Sequence, residues 1–162
     1  MTAEVKRRYS RDGGTALLHS QKCQYALRAL YELARHPNNG PTRISDIAQQ
    51  QAIPPRFLEN ILNELKQGGF VDSVRGRAGG YLLTRDPESL TIGEVIRYIQ
   101  GPIAPVHCMF HGEHADCPLR GECPYLPMWE RAEKALKEVY DTTTFADLIK
   151  DHKGRGRRRK RS

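Results

Sequence analysis

Apolar residues along this chain recur at regular steps, and proline and glycine mark where one regular stretch gives way to the next. Cys23, Ala26, Leu27, Leu30, Leu33 and Ala34 follow at three- and four-residue intervals, with Gln24, Arg28, Glu32 and Arg35 between them. That period predicts an amphipathic helix with its polar set outward, stopped by Pro37-Asn38-Asn39-Gly40-Pro41. A second, short helix is expected from Ile44 to Gln51, with Ile44, Ile47 and Ala48 inward and Ser45 and Asp46 favouring its first turn. After a break at Ala52-Ile53, Pro54-Pro55 opens a third helix, because proline in a first turn gives up an N–H that has no partner there. This helix should run to Gln67, with Phe57, Leu58, Ile61, Leu62 and Leu65 inward and Arg56, Glu59, Asn60 and Asn63 outward, and end at Gly68-Gly69.

The pattern then changes. Two short β-prone runs, Phe70 to Arg75 and Tyr81 to Arg85, flank Gly76-Arg77-Ala78-Gly79-Gly80 and predict a hairpin. Beyond a turn at Asp86-Pro87-Glu88-Ser89-Leu90, Thr91 and Glu94 have capping-box spacing ahead of a helix with Ile92, Val95, Ile96 and Ile99 inward, closed by Gly101-Pro102. Trp129, Ala132, Leu136, Val139 and Tyr140 outline a late amphipathic helix, and Thr144 opens a short last one through Phe145, Leu148 and Ile149.

These elements predict a mainly α fold with one small β-hairpin. Two helices joined by a tight turn, the second polar at its start, make a helix-turn-helix, and the hairpin that follows makes a wing with Arg75 and Arg77 at its tip. The expected partition is a loose basic extension over residues 1–18, a winged helix-turn-helix over 19–101, a cysteine-rich loop over 102–127, a dimerisation helix and terminal helix over 128–152, and a disordered basic tail over 153–162. A DNA reader of this size gains from two half-sites, and a late amphipathic helix needs a partner, so a twofold homodimer is expected.

Charge sharpens the picture through its location. The chain has 162 residues and a formal charge of +7; the tail from Lys153 holds seven basic residues and no acid, which leaves 19 basic against 19 acidic residues elsewhere. Such a tail attracts phosphates in a salt-dependent way without reading a sequence. No run approaches the roughly 20 apolar residues of a membrane helix, and the N-terminus lacks the apolar stretch of a secretory signal, so a cytoplasmic protein without membrane contact is expected.

In a reducing compartment clustered thiols serve metal or redox chemistry more often than disulfides. Cys108, Cys117 and Cys123 share one loop with Gly112, Gly121, Pro118 and Pro124, at gaps of eight and five residues. Structural zinc sites bring ligands in close pairs, which this loop lacks, whereas an iron–sulfur cluster spreads its thiolates more widely. Spacing therefore favours a cluster, with zinc as the alternative. His107, His111 and His114 beside the thiols are candidate further ligands.

Several segments together resemble the Rrf2 family of bacterial winged-helix regulators: Tyr25-Ala26-Leu27-Arg28-Ala29-Leu30, Ile44-Ser45-Asp46-Ile47-Ala48, Ile53-Pro54-Pro55-Arg56-Phe57-Leu58-Glu59, Leu62-Asn63-Glu64-Leu65-Lys66, Ser73-Val74-Arg75-Gly76, Gly79-Gly80-Tyr81 and Ile92-Gly93-Glu94-Val95-Ile96. The resemblance covers about residues 20 to 150. It implies a homodimer on double-stranded DNA, with Pro54, Arg56 and Glu59 facing bases in the major groove and Arg75 entering the minor groove. It also implies that Cys108, Cys117 and Cys123 ligate a 2Fe–2S or 4Fe–4S cluster, with a fourth ligand near Cys23 or Gln24 of the first helix. The first gap is wider than that of the founding regulator, which leaves the cluster type open.

The expected function is a sequence-specific transcription regulator, a repressor, that senses iron–sulfur, redox or nitric-oxide status. A zinc-binding or metal-free regulator controlled by a partner protein is the second reading, and an iron–sulfur electron carrier the third. No nucleophile–base set, phosphate loop or paired acid and base points to an enzyme.

Overall fold

The computed structural model describes residues 19–36, 40–109, 119 and 122–159, with His107 and residues 154–159 as backbone. The first helix, α1 (Gln21–Ala34), starts at Ser20, whose hydroxyl accepts from the Cys23 N–H at 3.2 Å, the ordinary N-cap bond. α2 (Ile44–Gln51) and α3 (Pro55–Gln67) follow. The turn between them is made by Ala52 in the left-handed region (φ 48°) and closed by the Ile53 N–H on the Ala48 carbonyl at 3.0 Å. Pro54 is the N-cap of α3 and Pro55 its first residue.

Strands β1 (Val71–Val74) and β2 (Gly80–Leu83) pair antiparallel, with Val71 opposite Leu83 and Val74 opposite Gly80. Thr42, just ahead of α2, adds a third segment to this hairpin: its N–H and carbonyl both bond to Tyr81 at 2.8 Å. A Cβ at Gly80 would lie 2.3 Å from the Thr42 carbonyl oxygen, so this close approach needs glycine. The wing is thereby fixed to the start of the helix-turn-helix.

α4 (Ile92–Gln100) carries the expected capping box, with the Glu94 N–H on the Thr91 hydroxyl and the Thr91 N–H on the Glu94 carboxylate. A short 3-10 turn at His107–Met109 lies in the cysteine loop. α5 (Leu126–Thr142) comes next, then α6 (Phe145–Arg159), whose first turn Thr144 and Asp147 close by the same reciprocal bonding. Among the described residues no helix is long and apolar enough to cross a membrane.

The core forms around α1, which packs against α2, α3, α4, α6 and β2. Cys23, Ala26, Ala29, Leu30, Leu33 and Ala34 of α1 are buried with Ile47, Leu58, Leu62, Leu65, Leu90, Val95, Ile96 and Phe145. By contrast α5 has no buried residue, and Met128 and Val139 are exposed along it.

Three expectations are corrected. Phe57 is not on the buried stripe of α3 but 60 % exposed. The buried residues Leu58, Ile61, Leu62 and Leu65 keep steps of 3, 1 and 3, and a residue one place earlier is rotated by about 100° from Leu58, onto the flank. Glu32 is not on the polar face of α1 but 3 % exposed. The last helix is not short: its backbone stays helical to Arg159, into the stretch from Lys153 expected to be disordered. Arginine is a good helix former, and residues that extend an existing helix escape the cost of nucleation.

Truncating Leu30, fully buried where α1 meets its neighbours, is expected to lower the free energy of unfolding by about 2–5 kcal/mol. Urea denaturation of Leu30→Ala followed by circular dichroism measures this, and a loss within error of zero would contradict a core centred on α1.

Candidate nucleic-acid interface

α3 turns its buried stripe toward α1 and α2 and leaves Pro54, Arg56, Glu59, Asn60 and Asn63 exposed. Arg75 and Arg77 are exposed at the tip of the wing. The basic side chains around them divide cleanly. Lys66 pairs with Asp72 at 3.1 Å and Arg85 with Glu94 at 3.1 Å, both on the framework that holds the hairpin against α3 and α4. Arg56, Arg75 and Arg77 have no carboxylate within ion-pair distance among the described residues. A guanidinium left without an acid is free to bond an anion, and its planar fork suits phosphate and the edge of guanine.

Arg43 belongs with these three and was not foreseen. It is exposed, has no carboxylate partner among the described residues, and its Nη2 donates to the Arg77 carbonyl at 3.3 Å. In sequence it is simply the residue before α2. Only the pairing of Thr42 with Tyr81 brings it against the wing, and periodicity carries no signal for that contact.

The exposed Phe57 lines a groove of about 450 Å³ between α1 and α3, with Gln21, Tyr25, Asn60 and Ile61 beside it. The Lys22–Glu64 pair, 2.7 Å long, also borders it.

In the cysteine loop, Cys108 lies on the 3-10 turn and Cys123 three residues ahead of α5; both are half-buried free thiols. Cys117, His111 and His114 lie outside the described residues, and of His107 only the backbone is described. Among the described residues no three His, Cys, Asp or Glu side chains gather closely enough to hold a metal ion. Of the first-helix candidates, Cys23 is fully buried in the core, and burial pushes its thiol up to about 11, opposed weakly by the charge of Lys22. That environment suits a packed thiol and disfavours a thiolate ligand. Gln24 is exposed, its amide donating to the His19 carbonyl at 3.2 Å.

A hydrogen-bonded chain ties this region together. Ser20 N–H donates to Gln100 Oε1 at 3.2 Å, and Gln100 Nε2 donates to His19 Nδ1 at 3.1 Å. His19 Nε2–H is then left to donate to the Tyr140 hydroxyl at 2.9 Å. Burial lowers the His19 pKa against the Gln100 bond, which favours the neutral imidazole this arrangement requires. The last residue of α4, the residues just ahead of α1 and the end of α5 are thus linked through the Gln100 and His19 side chains.

Residues 19–151 match the family model Rrf2, described as an iron-dependent transcriptional regulator. The chain is similar to the HTH-type transcriptional regulator CymR of Bacillus subtilis, 38% identical over 129 residues that cover 80% of this chain and 87% of that protein. Its fold is similar to the solved structure of B. subtilis CymR, the global cysteine regulator, with TM-score 0.70 and 37% identity, covering 82% of this chain and 95% of that one. It is also similar to the structure of T. potens IscR, with TM-score 0.67 and 31% identity, covering 86% and 91%.

Two outcomes are expected. Arg75→Ala should weaken DNA binding at least about tenfold, because the substitution removes both the charge and the planar fork of an exposed guanidinium at the wing tip; a gel-shift titration with unchanged affinity would remove the wing from the candidate interface. In the folded protein at pH 8, iodoacetamide should alkylate Cys108 and Cys123 well before Cys23, whose thiol is both inaccessible and held protonated. Peptide mapping by mass spectrometry reads the order.

Proposed function

The chain belongs to the Rrf2 family of transcriptional regulators, and from that premise we propose that it is a homodimeric, sequence-specific DNA-binding repressor whose cysteine loop holds an iron–sulfur cluster as its sensing element. Pro54, Arg56 and Glu59 at the start of α3 meet base edges in the major groove, where the Arg56 fork suits guanine and the Glu59 carboxylate accepts from the amino group of cytosine. Arg75 and Arg77 reach the minor groove or its phosphates. The exposed arginines without a carboxylate partner on α3, at the wing tip and just before α2 support this placement.

Dimerisation is supported by α5. A helix of 17 residues with nothing fully buried and with Met128 and Val139 exposed along it gains from association. A second copy packed on it about a twofold axis sets two copies of α3 against half-sites about one helical turn, roughly 34 Å, apart.

The observation that carries the sensing role is the position of the free thiols Cys108 and Cys123 on the segment that runs from α4 to α5. Both are half-buried and neither is in a disulfide, so with Cys117 they form a donor set whose chemistry fits a cluster. Held by Cys108, Cys117 and Cys123, a cluster would supply redox-active iron that reacts with oxidants and nitric oxide. The chain's own part is to join that loop to both readers: α4 enters it at Gln100 and α5 leaves it at Leu126. A difference of about 1.4 kcal/mol between states is a tenfold change in occupancy. The similarity to the global cysteine regulator favours, as a second reading, a metal-free regulator answering to a partner protein.

Protein purified without oxygen is expected to absorb in the visible range and to contain iron and acid-labile sulfide. Cys117→Ser should lose both, and operator affinity should differ between the loaded and stripped protein. Colourless, iron-free protein with a single operator affinity would transfer support to the metal-free reading. Separately, Val139→Glu, at a position 57 % exposed, should shift the protein toward monomer in analytical ultracentrifugation; an unchanged sedimentation coefficient would place the interface elsewhere.

A further inference from the structure

Among the described residues Glu32 is the one charged side chain that is buried. A carboxylate taken out of water is costly unless it is paired and bonded, and replacing such a group with apolar packing is often neutral for stability. Glu32 is fully engaged. Arg35 Nη1 donates to it at 3.1 and 3.4 Å, His36 Nε2 lies 3.7 Å away, and Gln51 Nε2 donates to Oε2 at 2.6 Å. Arg35, the C-cap of α1, and His36 just after it are sequence neighbours of Glu32 and partly exposed, so they could satisfy an acid without burying it. Gln51 differs, because it is the last residue of α2. It stands immediately before Ala52, the only non-glycine residue with positive φ among the described residues, and before the buried Ile53 that leads into α3.

We propose that Glu32 is a positioning residue for DNA recognition: by clamping the end of α2 to α1 it fixes the turn that sets the angle of α3. This rests on the reading of the chain as a sequence-specific DNA binder. Apolar contacts between α1, α2 and α3 set how closely the helices approach but are non-directional. A short charge-assisted hydrogen bond to a buried carboxylate is directional and adds a fixed orientation at the end of α2. Base readout needs side chains within a few tenths of an ångström of their edges, whereas attraction to phosphates does not, so the clamp acts on discrimination and leaves general affinity alone.

The test uses the full-length chain and two duplexes: the one wild-type protein selects from a randomised pool, and a scrambled duplex of equal length and composition. In Glu32→Met/Gln51→Leu, which fills the site with apolar groups, the ratio of the two affinities should fall at least about tenfold. Scrambled-duplex affinity should be unchanged, because Arg43, Arg56, Arg75 and Arg77 are untouched, and the melting temperature should be kept. Gln51→Ala alone, which leaves Glu32 with Arg35 and His36, should lose the ratio in the same way. Glu32→Gln, which still offers Gln51 an acceptor, should keep it within about threefold. The clamp is overturned if the double variant and Gln51→Ala keep the wild-type ratio, or if both affinities fall in step with melting temperature. Wild-type protein that selects no duplex would overturn the DNA-binding reading itself, and the clamp with it.

Discussion

The packing of a single helix against five neighbours governs this molecule. α1 meets α2, α3, α4, α6 and β2, and small residues at Cys23, Ala26, Ala29 and Ala34 let those neighbours approach it closely while Leu30 and Leu33 fill the space between. Close-packed interiors transmit displacement because they have no slack to absorb it. α3, the wing through β2 and the start of the cysteine loop through α4 are therefore all referenced to α1. Cys23 has its place in this constraint. Its full burial and raised thiol are what a small apolar filler at a crowded helix crossing would show.

Much of this framework was legible in the sequence because its boundaries are chemical. Pro54-Pro55, Gly68-Gly69, the Thr91–Glu94 box and Gly101-Pro102 each mark a helix end by a missing N–H, a free φ or a side-chain cap, and those signals are local. Departures arise where a residue's environment comes from another part of the chain. Phe57 reads as core by composition yet lies one helical step outside the stripe. Glu32 reads as surface by charge, but α2 closes over it through Gln51. No single-helix pattern contains either fact, since both depend on how two helices cross.

The candidate interface was legible in the same uneven way. A basic glycine-rich turn after a helix-turn-helix announces Arg75 and Arg77, because the turn chemistry fixes where they stand. Arg43 was missed because its relevance comes from the Thr42–Tyr81 pairing, a contact between segments 39 residues apart that leaves no trace in periodicity. The cysteine loop is the reverse case. Its donor residues are plain in the sequence, but their geometry depends on a loop rich in glycine and proline, and only Cys108 and Cys123 of the three fall within the described residues.

What joins the two halves of the proposed function is the hydrogen-bonded chain from Ser20 through Gln100 and His19 to Tyr140. Gln100 is the last residue of α4 and the one from which the loop departs, so any rearrangement of the loop acts first on its position. Its amide is committed on both sides: the oxygen to Ser20 at the start of α1, the nitrogen to His19, whose other ring nitrogen holds α5 through Tyr140. A shift of Gln100 cannot be absorbed without breaking a bond to one helix or moving both. The first course loosens α5 from the DNA-reading body, and the second carries the displacement into α1, against which α2 and α3 are packed. On the proposed reading, a change confined to the loop reaches the angle of α3 in this way, and small residues at the α1 crossings leave little room for it to dissipate.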